Sequence, residues 1–125
     1  MKKVLSSDLH CIHTIANPSI VYGILRESNR AITTYNQLMR HYEDGHRDIA
    51  VVFVTPRDDV LFIHIPLFCK HFGIRLYALP DDAKDVLKSI YGMKHVNIIG
   101  LYKDDVSHRQ LKALDLDTHT HQTIE

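Results

Sequence analysis

The segment Ile49-Ala50-Val51-Val52-Phe53-Val54 constrains the fold more than any other part of the chain. It is apolar at every position, with no polar alternation, so both of its faces must be covered. A strand of that kind sits in the middle of a sheet with helices packed above and below. Ile74 to Leu79 and Val96 to Leu101 read as further strands, and Ala31-Ile32-Thr33 is a shorter extended piece. The stretches between them have helical rather than strand periodicity. Strands alternating with helices imply parallel connections and an α/β class. The expected architecture is a single-domain three-layer αβα sandwich with a mixed, mostly four-stranded sheet.

Helix boundaries follow from local chemistry. Asn17-Pro18 is a helix start, with Asn at the N-cap and Pro at the first helical position, and Ile20, Val21, Ile24 and Leu25 give an apolar stripe to about residue 29. Thr34 and Gln37 have capping-box spacing; Tyr35, Leu38, Met39 and Tyr42 supply the buried face of a second helix, which Gly45 ends. Pro56, Asp58 and Asp59 form a turn into a third helix over 60–72, in which Pro66 should introduce a kink and Gly73 is the stop. Pro80-Asp81-Asp82 opens a fourth helix terminated by Gly92, and a weak fifth spans Val106 to Leu114. The expected organisation is a loose arm over 1–16, one domain over 17–115 and a polar tail over 116–125.

Composition excludes several classes of function. Fifteen Lys plus Arg balance fifteen Asp plus Glu, which argues against a stand-alone nucleic-acid binder that relies on neutralising many phosphates. Cys11 and Cys69 have no disulfide or metal spacing and read as reduced thiols. The ten histidines are scattered; His119 and His121 on the tail lack further ligands, so no metal site and no cofactor are expected. No run reaches bilayer-spanning length, and no signal-peptide core is present at the start. Asp58, Asp59, Asp81, Asp82 and Asp85 suit helix N-termini. Cys69 and His64 fall about 140° apart on a helix, so no nucleophile–base pair forms and no catalytic set is present.

The polar residues with most to offer are Asn36, Gln37 and Arg40. On a helix, Arg40 lies about 40° from Asn36, and Gln37 about 60° beyond Arg40. The three share one arc of the first turn and a half, where free backbone N–H groups favour phosphate. Two amides and a planar guanidinium can read base edges, and such a patch suits splayed or non-Watson–Crick purines. The same residues also fit a purely structural account: Thr34 and Gln37 as a cap, Asn36 solvated, Arg40 paired with Glu43 or Asp44.

The segment Thr34-Tyr35-Asn36-Gln37-Leu38-Met39-Arg40 resembles the Gly-x-Asn-Glu-x-x-Lys signature of the L-seven-Ae superfamily of kink-turn-binding ribosomal proteins. His64-Ile65-Pro66-Leu67-Phe68-Cys69 is similar to that family's His-Leu-Pro-Leu-Leu-Cys stretch, proline in register. The likeness covers about residues 18–102. It implies that Asn36 and Gln37 contact sheared G·A pairs and that Arg40 stands where a family lysine meets guanine. It also implies that the loop Gly92 to Val96 covers an extruded base, with Met93 and Val96 as an apolar lid and Lys94 and His95 near phosphate. Considered on their own, Met93 and Val96 equally suit ordinary packing at a helix–strand junction. Thr34 replaces a glycine and Gln37 a glutamate, so the helix entrance departs from the ribosomal pattern. Across Asn17-Pro18 through Arg30, Thr34 to Tyr42 and Pro66 through Met93 the chain looks most like the protein subunit branch of eukaryotic RNase P and RNase MRP, as found in fungi.

The resemblance implies a non-catalytic RNA-binding subunit of a processing ribonucleoprotein, with structured RNA and other protein subunits as partners and residence in the nucleus or nucleolus. A ribosomal (hence cytoplasmic) or small nucleolar particle is the alternative. A protein-interaction module that has lost RNA contact is a third reading, supported by the neutral charge and by Thr34 and Gln37.

Overall fold

A computed structural model describes residues 13–28, 30–55, 61–80, 82–92 and 96–122. In chain order the elements are β1 (His13–Thr14), α1 (Pro18–Glu27), α2 (Tyr35–Glu43), β2 (Ile49–Val54), α3 (Leu61–Phe72), β3 (Arg75–Ala78), α4 (Ala83–Tyr91), β4 (Ile98–Tyr102) and α5 (His108–Gln122). The protein is a mixed α/β fold. β2 lies between β3, which is parallel to it, and β4, which is antiparallel. The two-residue β1 pairs with the far side of β3, giving the order β1-β3-β2-β4.

At the sheet margins the short extended piece around Ile32 pairs through Ile32 alone, which bridges to Gly100 in antiparallel sense, and one expectation is corrected. The end of the expected N-terminal arm does carry sheet structure. His13 and Thr14 pair with Tyr77 and Ala78, the Ile15 amide donates to the Ala78 carbonyl at 2.9 Å, and Ile15 is buried. The arm was unreadable because two residues show no period and their pairing partner lies more than sixty positions away.

β2 explains why its sequence is apolar throughout. Val51 and Phe53 pack into one hydrophobic cluster with Val21, Leu25, Leu87 and Leu114 from α1, α4 and α5. Ile49, Val52 and Val54 pack into a second with Leu38, Tyr42, Ile65 and Cys69 from α2 and α3. Side chains alternate between faces along a strand, and both faces of this strand are filled. Ala50 breaks the alternation by joining Val51's cluster. The register with β4 shifts between Ile49 and Val51, so this is a bulge, with Ala50 as the extra residue.

Helix ends follow local chemistry in part, and the Asp82 start of α4 carries no side-chain cap. α2 closes in a Schellman motif: His46 N–H donates to the His41 carbonyl at 3.2 Å and Gly45 N–H to the Tyr42 carbonyl at 3.1 Å, with Gly45 at φ 96°. Gly92 ends α4 at φ 66°. Asn17 occupies the N-cap of α1, but its side chain makes no capping bond, and Pro18 provides the start. α5 runs past Leu114 to Gln122 instead of giving way to a polar tail. Its start was legible: Ser107 and Gln110 form a reciprocal box, at 2.8 and 3.1 Å. Tyr77 donates its hydroxyl to Asp115, which also pairs with Arg75 at 3.3 Å, so α5 is tied to β3 beyond the point where its apolar stripe fades. Pro66 lies buried inside α3 without ending it.

Two predictions follow from this packing. A Cβ at Gly100 would sit 3.5 Å from Ile32 Cβ and 3.7 Å from Ile49 Cγ2, so alanine fits and a branched side chain does not. Gly100→Val is expected to cost about 1–3 kcal/mol in denaturant unfolding, with Gly100→Ala near neutral; an unaffected valine variant would show that the bridge is not tightly held. The second concerns acid. His41 Nε2 and Asp48 Oδ1 lie 2.5 Å apart, and this bond holds the Asp48 carboxyl below the usual carboxylate range. A depressed carboxylate contributes stability that is complete above its unfolded-state pKa and is lost as pH falls through the folded one. His41→Ala should therefore move acid unfolding, followed by far-UV circular dichroism, to higher pH.

Candidate nucleic-acid interface at the entrance of α2

The Ile32–Gly100 bridge positions the candidate site. Ile32 N–H donates to the Gly100 carbonyl at 2.9 Å and Gly100 N–H to the Ile32 carbonyl at 2.7 Å. Because the pairing is antiparallel, the chain leaves Ile32 toward the level of Ile98, the first residue of β4. β4 in turn begins beside the C-terminal end of β2, where Val54 pairs with Ile98. Thr55, fully buried, donates N–H to the Asn97 carbonyl at 3.0 Å and its hydroxyl to Asn97 Oδ1 at 3.1 Å. The entrance of α2 and the chain leading into β4 therefore lie at one end of the sheet. In open α/β sheets, ligands bind at the C-terminal ends of the strands.

At that entrance the four polar residues divide by role. Thr34 has extended backbone, and its hydroxyl accepts the Gln37 N–H at 3.1 Å. Gln37 Oε1 reaches back to accept the Thr33 N–H at 3.2 Å. The cap is thus formed, and it commits the acceptor that a base donor would need; the Gln37 amide nitrogen keeps donor capacity. Asn36 and Arg40 behave differently. Both are exposed, and among the described residues neither side chain has a hydrogen-bond or ion-pair partner. In particular Arg40 does not pair with Glu43 or Asp44. Tyr35 and Met39 pack from the other side of the helix, with Leu38 and Tyr42 fully inside.

The expected apolar flap fares differently. Met93, Lys94 and His95 lie outside the described residues, as do Cys11, the Asp58-Asp59 turn and Asp81. Val96 is described, and it is 5% exposed within the cluster that holds Leu87 and Ile99. It is a core residue that anchors the end of the loop, and it offers no surface for a base. Cys69 is buried, and burial pushes its thiol up to about 12, so it carries no thiolate at neutral pH.

Sequence inspection missed a cleft beside this entrance. It has a volume of about 620 Å3 and runs between the C-terminal ends of α1 and α4. It is lined by Leu25, Arg26, Ser28, Arg30, Ala31 and Thr33 from α1 and the segment after it, and by Ser89, Ile90 and Tyr91 from α4. The Arg30 guanidinium lies 4.0 Å from the Tyr102 ring centroid and 3.8 Å from Asp104. No sequence motif marks the cleft, because its walls come from segments about sixty residues apart.

Among the described residues the buried Tyr91 hydroxyl has no partner, and burial pushes its pKa up to about 12. An unsatisfied buried hydroxyl costs about 1–3 kcal/mol, so Tyr91→Phe is expected to raise the melting temperature by a few degrees in calorimetry. A lowered value would mean that the hydroxyl has a partner in solution.

Residues 24–122 match the family model described as RNase P subunit Pop3. No curated protein matches the chain significantly. The match covers most of the sequence, and the chain belongs to the RNase P subunit Pop3 family. Members of that family are protein subunits of the RNase P/RNase MRP ribonucleoprotein, an RNA-based nuclease assembly of tRNA processing. Between the alternatives open to the sequence, this favours the RNase P branch over the ribosomal and small nucleolar ones.

Proposed function

We propose that the chain is a non-catalytic, RNA-binding subunit of RNase P and RNase MRP, and that it grips a bent or internally looped RNA element with the entrance of α2. The observation that carries this reading is the pair Asn36 and Arg40: exposed, unpartnered among the described residues, and one helical turn apart. Asn36 presents both a donor and an acceptor to a purine edge, and Arg40 a fork suited to guanine O6 and N7. The α2 N-terminus adds partial positive charge for a nearby phosphate. Thr34 and Gln37 hold the entrance in shape, with the Gln37 amide as a secondary donor. Lys94 and His95 would meet phosphate from the following loop, and Met93 would cover a base.

Helices on both sides of the sheet support a three-layer αβα sandwich of the kink-turn-binding type. A chain with no net charge draws little from counterion release, so its hold on RNA depends on a preshaped element and on neighbouring protein subunits. Tertiary RNA, not this chain, supplies the cleavage chemistry, for tRNA 5′ leaders and for pre-rRNA. Nuclear and nucleolar residence follows from that assembly.

The test compares wild type with Asn36→Ala/Arg40→Ala for binding to RNase P RNA transcribed in vitro and to a hairpin with a three-nucleotide bulge flanked by G·A pairs. At about 1–3 kcal/mol for each lost base contact, affinity should fall by about 100-fold while the melting temperature holds. Undiminished affinity of the double variant would sink the proposal. Binding that ignores salt would instead point to a protein-interaction module.

A further inference from the structure

We infer that the cleft between α1 and α4 is a second RNA contact, which takes one unpaired nucleotide of the same RNA with its base against Tyr91 and its phosphate at Arg26 and Arg30. This rests on the reading of α2 given above and extends it to the other side of the Ile32 segment.

Position is the first argument. Side chains alternate along an extended segment: Ile32 packs in the cluster of α2, whereas its neighbour Thr33 lines the cleft. The Thr33 N–H is bonded to Gln37 Oε1, so one residue of the cleft lining is joined to the cap of the proposed recognition helix.

Chemistry is the second argument. Two arginines, Arg26 and Arg30, line the cleft in a chain whose net charge is zero. Arg30 is already oriented by the Tyr102 ring. Its ion pair with Asp104 is open to water on both sides, the two side chains being 58% and 87% exposed; such a pair is weak and gives way to a phosphate. Arg26 is exposed at the last turn of α1. Between them, Ile90 and the Tyr91 ring offer an apolar face for stacking, which is sequence-tolerant, and Ser89 adds a hydroxyl. The volume of about 620 Å3 falls within the ~300–1,000 Å3 of small-ligand sites.

The experiment uses the full chain and RNase P RNA transcribed in vitro, with affinity measured across a salt series. Arg26→Gln should weaken binding about 5- to 10-fold and reduce the slope of log K against log salt by about one. Tyr91→Phe keeps the ring and should bind like wild type, whereas Tyr91→Leu should lose about 10-fold. If Arg26→Gln and Tyr91→Leu both bind at wild-type strength while Asn36→Ala/Arg40→Ala does not, the cleft is no RNA site and the α2 reading stands. If the cleft variants weaken binding but the α2 variant does not, the cleft holds RNA and the α2 reading fails. Cleft variants that keep RNA yet fail to co-assemble with other protein subunits would overturn the nucleotide assignment. Arg26 is a surface residue, so its variant reads out even if Tyr91→Leu folds poorly.

Discussion

A single pair of backbone hydrogen bonds joins Ile32 to Gly100, and the geometry of the functional end depends on it. α1 ends at Glu27 and α2 begins at Tyr35; without the bridge this connection would be free to swing. The bridge fixes it against the middle of β4, and Ile32 inserts beside Leu38, Ile49 and Gly100. The absence of a side chain at Gly100 lets the segment lie that close. From there Thr34 can only open α2 at the sheet end where Thr55 and Asn97 tie β2 to the start of β4.

The α2 entrance then performs two tasks with neighbouring residues. Thr34 and Gln37 satisfy backbone donors that would otherwise be left open at a helix start, which rigidifies the platform. Asn36 and Arg40, set on the same arc, make no side-chain hydrogen bond or ion pair among the described residues. A site built on a capped helix holds its groups in place better than one on a loop. The Gln37 side-chain oxygen serves the Thr33 amide, a task that needs an acceptor and no charge.

Two hydrophobic clusters meet at β2. One holds residues of α2 and α3, with Arg47 over the Tyr42 and Phe72 rings and Tyr42 edge-on to Phe68. The other holds residues of α1, α4 and α5. Thr33, in the lining of the cleft, is tied to the α2 cap by one hydrogen bond.

Much of the fold was legible because the signals are local. The apolar run of β2, the glycines that end α2 and α4, and the Thr34–Gln37 spacing each depend on residues within one element. The Asn36–Arg40 arc was readable for the same reason, since helical periodicity alone sets it. Tertiary structure decided what depends on pairing across the sequence: that two residues near His13 become an edge strand on β3, that Ile32 contributes a bridge and no strand, and that Val96 goes into the core. It also decided that Arg40 stays clear of its acidic neighbours and that two distant helix ends enclose a cleft. A chain's local propensities are written in short windows, whereas burial and enclosure are properties of surfaces that meet only after folding, and no window of sequence contains both sides of the contact.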